Sequence, residues 1–449
     1  MYKRLSAVLL VLPLVLGATF SEPVTDKTLS NGLRVIIKVD NRSPVVVSQL
    51  WYRVGSMDEV RGKTGLSHML EHMMFKGTKT IKPGEFSKII ARNGGRENAF
   101  TTQNNTTYFQ TLEKSRLPIA LKLEADRMQN LQVKDDEFKH ERAVVMEERR
   151  LRTEDKPEGK LYESFLHTAY KVNPYGRPVI GSMEDIKNFT ADDVRNWYRK
   201  WYVPNNATLV IVGDVKPKEV LKLAKKYFGK IPPGKLPKRD IPAEPEQHKT
   251  RSIVLKIPAR VPSILIGFHT PVIGQDKKEW EPYALDMLAG VLDGGDSARF
   301  SSQLVRKEHI AASASAGYDS VARDPSLFTI SATPYTGRSI TALKKALLAQ
   351  VDDLKHKLVT PEEMKRIRAQ VIASDVYQRD SMFYQAMEIG MLTNSGLSWR
   401  LADDYVHNIE KVTPQQIRAV ARKYLVPGNM TVAILQPVHA KPGKKGGKS

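Results

Sequence analysis

Apolar residues fall along this chain in two alternating rhythms. Short β-branched runs, "LRVIIKVD" at 33–40 and "PVVVSQLWYRVGS" at 44–56, predict strands, as do "SILIGFHTP" at 263–271 and "SLFTISATP" at 326–334. Between them lie longer stretches with apolar residues three and four apart. "KSRLPIALKLEADRMQNL" at 114–131 predicts an amphipathic helix, and further helices are predicted near 279–292, 340–356 and 361–377. Adjacent strands followed by runs of helices indicate an α+β architecture, because a regular βαβ chain would alternate them singly.

The pattern repeats. "DIKNFTADDVRNWYRKWYVPNNATLVIVGDV" begins at Asp185, and "NIEKVTPQQIRAVARKYLVPGNMTVAILQPV" begins at Asn408, without gaps at an offset of 223. Thr190 and Thr413 are N-cap residues for a helix in each copy. A Pro-Asn or Pro-Gly turn and an apolar strand follow. So long a period means duplicated domains, not a solenoid. The junction is "GKIPPGKLPKRDIPAEPEQHKT", Gly229–Thr250, which is rich in Pro and Lys and has no apolar period. The predicted organisation is two homologous domains, 22–230 and 251–440, joined by a 231–250 linker and each built as a mostly antiparallel sheet with helices.

The ends differ in kind. Residues 1–21 carry Lys3 and Arg4, an apolar run from Leu5 to Leu16, then small residues, which is the pattern of a signal peptide. Cleavage after Ala18 or within 19–22 fits this pattern, and a retained anchor is the alternative. An exported, periplasmic protein is therefore expected. Residues 441–449 form a basic Gly- and Lys-rich tail. The chain has no cysteine, so a metal site must use His, Asp or Glu. Seventy basic against 49 acidic residues give +21, but the charge is spread along the chain apart from the tail. No nucleic-acid motif accompanies it, so no nucleic-acid partner is expected; a solvated basic surface is the favoured reading, and attraction to anionic membrane surfaces or acidic chains fits better than DNA binding.

"GLSHMLEHMMFKGT", Gly65 to Thr78, carries the chemistry. On a helix over 66–75, His68, Glu71 and His72 share one face, while Leu66, Leu70 and Met73 face a core. Two imidazoles one turn apart suit one zinc ion, and a carboxylate between them suits a proton acceptor. A third ligand is required. "KHERAVVMEERRLRTEDKP" offers Glu141 and Glu148, seven residues apart on one helix face, with Glu147 as a rival ligand.

These residues resemble the pitrilysin/insulinase family of zinc metallopeptidases, in the half-length branch alongside mitochondrial processing peptidase subunits and bacterial periplasmic relatives. "HMLEH" is followed about 75 residues later by Glu148, with Glu141 seven residues before it. "NGLRVII" at 31–37, "GGRENAFTTQNNTTYF" at 94–109 and "NPYGRPVIGSMEDI" at 173–186 add to the match. The resemblance implies His68, His72 and Glu148 as ligands of one zinc ion, Glu71 as general base, and Glu141 as the carboxylate that orients them. It implies that Asn98 and Ala99 lie on a strand edge that pairs with substrate, and that the two halves face each other like a clam shell.

Self-sufficient members carry an Arg and a Tyr seven residues apart as oxyanion donors. Here Arg306 is followed at that distance by Ser313, and Tyr318 lies five residues further on. The resemblance thus implies a zinc endopeptidase for short or unfolded peptides. A homologous partner subunit in a heterodimer would complete its oxyanion site; Tyr318 or another donor standing in is the alternative there, and a homodimer is the other expected assembly. A non-catalytic assembly or chaperone-like subunit of the same fold is the alternative.

Overall fold

The computed structural model describes residues 24–275 and 279–438. The expected signal peptide and basic tail lie outside the described residues. A six-stranded sheet holds β1 (Thr25–Thr28), β2 (Arg34–Val39), β3 (Val45–Tyr52), β4 (Arg96–Thr101), β5 (Thr106–Glu113) and β6 (Ala207–Gly213), in the order β1-β2-β6-β3-β5-β4. A five-stranded sheet holds β7 (Arg251–Pro258), β8 (Ser263–Thr270), β9 (Ala311–Tyr318), β10 (Ser326–Pro334) and β11 (Met430–Val438), in the order β7-β11-β8-β10-β9.

Without β1 the two orders correspond strand for strand. Each has one parallel pair, β2 with β6 and β7 with β11, and every other pairing is antiparallel. The chain is therefore two α+β domains, each a mixed, mostly antiparallel sheet packed with helices. Residues 232–248 between the sheets carry neither helix nor strand. Glu244 accepts backbone N–H bonds from Lys171, Val172 and Asn173, which ties this segment to the first domain.

The first domain carries α1 (Leu66–Met73), α2 (Glu85–Arg92), α3 (Leu117–Asn130), α4 (Asp135–Arg149), α5 (Pro157–Ala169), α6 (Met183–Asn188), α7 (Ala191–Trp201) and α8 (Pro217–Phe228). The second carries α9 (Glu281–Asp293), α10 (Ile340–His356), α11 (Pro361–Arg379), α12 (Met382–Asn394), α13 (Leu401–Lys411) and α14 (Pro414–Tyr424). The internal repeat is α7 and β6 matched to α14 and β11. Thr190 and Thr413 both close capping boxes, with Asp193 and Gln416 reaching back.

The domains exchange helices. From the first domain, α5 lies on the second sheet, burying Leu161 and Phe165 against Ala433 and Leu435. From the second, α12 lies on the first sheet, burying Ala386 and Ile389 against Trp51, Val210 and Val212. The other face of the first sheet carries the main core beneath α1, α3, α4 and α7. A buried ion pair adds a polar lock between domains. Arg323 grips both carboxylate oxygens of Asp58 at 2.8 and 3.0 Å, and Arg239 binds the same carboxylate. The "NPYGRP" segment contributes to this lock, since the Tyr175 hydroxyl accepts the backbone N–H groups of Arg323 and Asp324.

Candidate active site

Helix α1 is short and its position is fixed at its start. Gly65 has a φ of 94°, open to glycine at little cost, and a side chain there would collide with the Ile180 carbonyl. The buried Glu59 carboxylate accepts the Gly65 and Ser67 N–H groups at 2.7 and 2.8 Å, filling donors that a helix start leaves open. Leu66, Met69, Leu70 and Met73 are buried in the main core, which aims His68, Glu71 and His72 at the opposite side.

Helix α4 runs past that side. Glu148 Oε2 lies 3.2 Å from His72 Nε2, and its Oε1 lies 3.7 Å from His68 Nε2. One ligand atom from each of the three residues lies within 4.8 Å of the others. A tetrahedral ion bonded at about 2.0–2.2 Å sets its ligand atoms about 3.3–3.6 Å apart, so this donor set fits zinc. Glu141, two turns earlier on α4, sits 2.8 Å from His72 Nδ1. Fixing that nitrogen leaves Nε2 as the ligand atom. Glu147, the rival ligand, is exposed and pairs with Arg150 at 2.8 Å.

Two cations tune these carboxylates. Lys76 contacts Glu141 Oε2 at 2.5 Å, and Arg152 contacts Glu148 Oε1 at 2.8 Å. Arg152 belongs to a π-helical turn, Arg150–Glu154, that continues α4. Behind it, the buried Arg149 donates to the Gly181 carbonyl at 2.5 Å and to Glu163 at 2.8 Å. Gly181 lies against Thr64 and Gly65, so Arg149 ties the end of α4 to the start of α1.

The electrostatics follow from this packing. Burial and the neighbouring His72 charge hold His68 well below the ordinary imidazole range. Burial also pulls on His72, but hydrogen bonds to Glu141 and Glu148 outweigh it and push its pKa up to about 9. The His72 hydrogen bond holds Glu148 low, while burial raises Glu71 despite the Thr101 hydroxyl it accepts at 2.6 Å.

Thr101 closes β4, which runs beside α1 as the open edge of its sheet and, among the described residues, pairs only with β5. Asn98 and Ala99 lie on this edge. The exposed Asn98 side chain accepts the Ala99 N–H at 2.9 Å. The second-domain residues lie elsewhere. Arg306 is exposed and donates to the Asp296 carbonyl, Ser313 is exposed on β9, and the Tyr318 hydroxyl donates to the Pro271 carbonyl. The structure thus brings together His68, Glu71, His72, Glu141 and Glu148, with β4 alongside, and does not bring Arg306 into contact with them. Sequence reasoning missed Lys76 and Arg152, although each stands four residues after a residue it had singled out. Glu59, Thr101 and Arg149 carried no such spacing.

The profile described as Insulinase (Peptidase family M16) matches residues 34–183, and the one described as Peptidase M16 inactive domain matches residues 188–371. The zinc protease PqqE of Helicobacter pylori is 36% identical over 377 residues, covering 82% of this chain and 83% of that protein. The chain belongs to the M16 peptidase family. Its M16 fold matches the crystal structure of a protease from Helicobacter pylori with a TM-score of 0.87 at 33% identity, over 93% of this chain and all of that one. The periplasmic protease PqqL of Escherichia coli shares the M16 fold, with a TM-score of 0.78 at 19% identity. That match spans 92% of this chain but 47% of PqqL. The H-x-x-E-H segment lies in the insulinase-matched region, and the region matching the inactive domain has no second copy of it.

Proposed function

We propose that this M16 protein is a zinc-dependent endopeptidase acting on short or unfolded peptides. The observation that carries this reading is the convergence of His68, His72 and Glu148 with Glu71 beside them. Zinc held by the first three would supply Lewis acidity to a water and to the scissile carbonyl. Glu71, held by Thr101, takes the proton of the attacking water and delivers it to the leaving amine. Glu141 and Lys76 keep the His72 ring turned so that Nε2 faces the ligand cluster. The open edge of β4 supports substrate binding as an added strand, with Asn98 yielding the Ala99 N–H to a peptide carbonyl.

The oxyanion donors come from a homologous partner chain in this proposal. Arg306 and Tyr318 are both committed to carbonyls of their own domain, and Ser313 is too short to take a phenol's place. The export pattern of residues 1–21 supports action in the periplasm. Among the described residues, no helix is long and apolar enough to cross a membrane. The intact donor set argues against a purely structural subunit.

Zinc content and hydrolysis measured together test the proposal. The purified protein should hold about one zinc per chain. Glu71→Gln should keep the zinc and lose hydrolysis of an unfolded peptide, because an amide takes up no proton there. Equal zinc content in the wild type and in a His68→Ala/His72→Ala variant would remove the metal site from consideration.

A further inference from the structure

Residues 216–238 hold eight lysines against one acid, +7 of the chain's +21. In the sequence they read as part of a dispersed charge and a Pro-rich linker. The fold gathers them. On α8, Val220, Ala224 and Phe228 are buried, and Lys218, Lys222, Lys225 and Lys226 are exposed. At 3.6 residues per turn these four lysines fall within an arc of about 100°, directly opposite the buried face. Lys230 and Lys235, which follow the helix in the chain, are exposed as well. None of the six forms an ion pair among the described residues. The one acid of the segment, Glu219, pairs with Lys216, and Asp214 just before it pairs with Lys114.

We propose that this lysine face docks the protein on an anionic phospholipid bilayer. The strip is a convex helix face, which fits a plane. Its cations are all lysine, whose compact charge suits diffuse headgroup attraction. Base or phosphate recognition in nucleic acid favours the planar fork of arginine. Arg239, just past the strip, turns inward to Asp58. The apolar face of α8 is used up in the core, so the attraction is electrostatic with no insertion. β1, the first described strand, pairs with β2, and α8 packs on β2, so α8 sits near the edge at which the described residues begin.

The test is sedimentation of the full-length chain with vesicles of phosphatidylglycerol and phosphatidylcholine, against phosphatidylcholine alone. Binding should require the anionic lipid and fall steeply with added salt. Each lysine near such a surface contributes roughly a fivefold change in partitioning. Lys218→Gln/Lys222→Gln/Lys225→Gln/Lys226→Gln should therefore lower it by about a hundredfold or more, with an unchanged thermal melt and unchanged zinc content. Lys307, Lys345, Lys365 and Lys411 are exposed in the second domain, and replacing those four by Gln removes the same charge. That variant should keep most of the binding. Equal loss in the two variants would reduce the effect to net charge and overturn the docking face. Binding that survives 1 M salt in both variants would assign it to the apolar N-terminal run, and binding to RNA without binding to the vesicles would assign the strip to another partner. Either result overturns the proposal.

Discussion

Gly390 of α12 lies directly against the Trp51 indole of β3, so close that a β-carbon on the glycine would fall inside the ring's van der Waals surface. The contact joins the second domain to the first sheet. Its counterpart runs the other way, where Gly267 of β8 leaves room for the Phe165 ring of α5. Each exchanged helix thus depends on one glycine at its seat.

Gly390→Ala should destabilise the protein by about 1–3 kcal/mol. Alanine adds about 1 kcal/mol of helix propensity, but the buried indole is held on all sides and cannot yield to the methyl. Thermal melts of the variant and of Gly390→Ala/Trp51→Phe check this. The smaller ring should recover much of the loss.

Metal affinity should weaken as the pH is lowered. In the metal-free protein His72 holds a proton up to about pH 9, and a ligand must be neutral to bind. His68 is held low and carries no proton over the same range. Between about pH 6 and 8, zinc binding should release one proton per ion and weaken roughly tenfold per unit of falling pH. Calorimetry in buffers of different ionisation enthalpy reads the proton count. Glu141→Gln should cost about 10–100-fold in affinity and lower the His72 pKa.

Glu148→Gln should release zinc more readily than Glu141→Gln does, because it turns the carboxylate that faces both imidazoles into a neutral amide. Glu147→Gln should leave zinc retention unchanged, since that side chain points to solvent and Arg150. Competition with a chelator ranks the three variants. A Glu147 variant that loses metal would contradict the arrangement of α4.

The isolated chain should bind zinc and cleave poorly, and a homologous partner bearing Arg and Tyr seven residues apart should raise kcat by about 10²–10³. Tyr318→Phe should leave the residual rate unchanged, because that hydroxyl is bound to Pro271. Rates measured with and without the partner check both statements. A Tyr318→Phe variant that abolishes cleavage by the isolated chain would make Tyr318 the donor.

The α1 constellation was legible because its information is local. His68, Glu71 and His72 are set on one face by helix geometry alone, and two turns separate Glu141 from Glu148 for the same reason. The duplicated domains were legible because their capping threonines, turns and strands recur at one offset, and the paired sheet orders carry that repeat into three dimensions. Glu59 and Arg149 were not legible. A glutamate at an uncapped helix start and an arginine beside a charged helix end look like ordinary surface residues until the fold buries them.

The sequence by itself determined many of the helices and strands, the duplication and the three polar residues of α1. Those follow from dihedral preference and from periodicity over a few turns. Only the tertiary structure decided how α4 meets the imidazoles, which helix crosses to the other sheet, and which face of α8 is left to solvent. Each of these depends on how α4, α5, α8 and α12 pack against surfaces far away in the chain. That packing is set by the burial of many side chains together, and no single spacing records it.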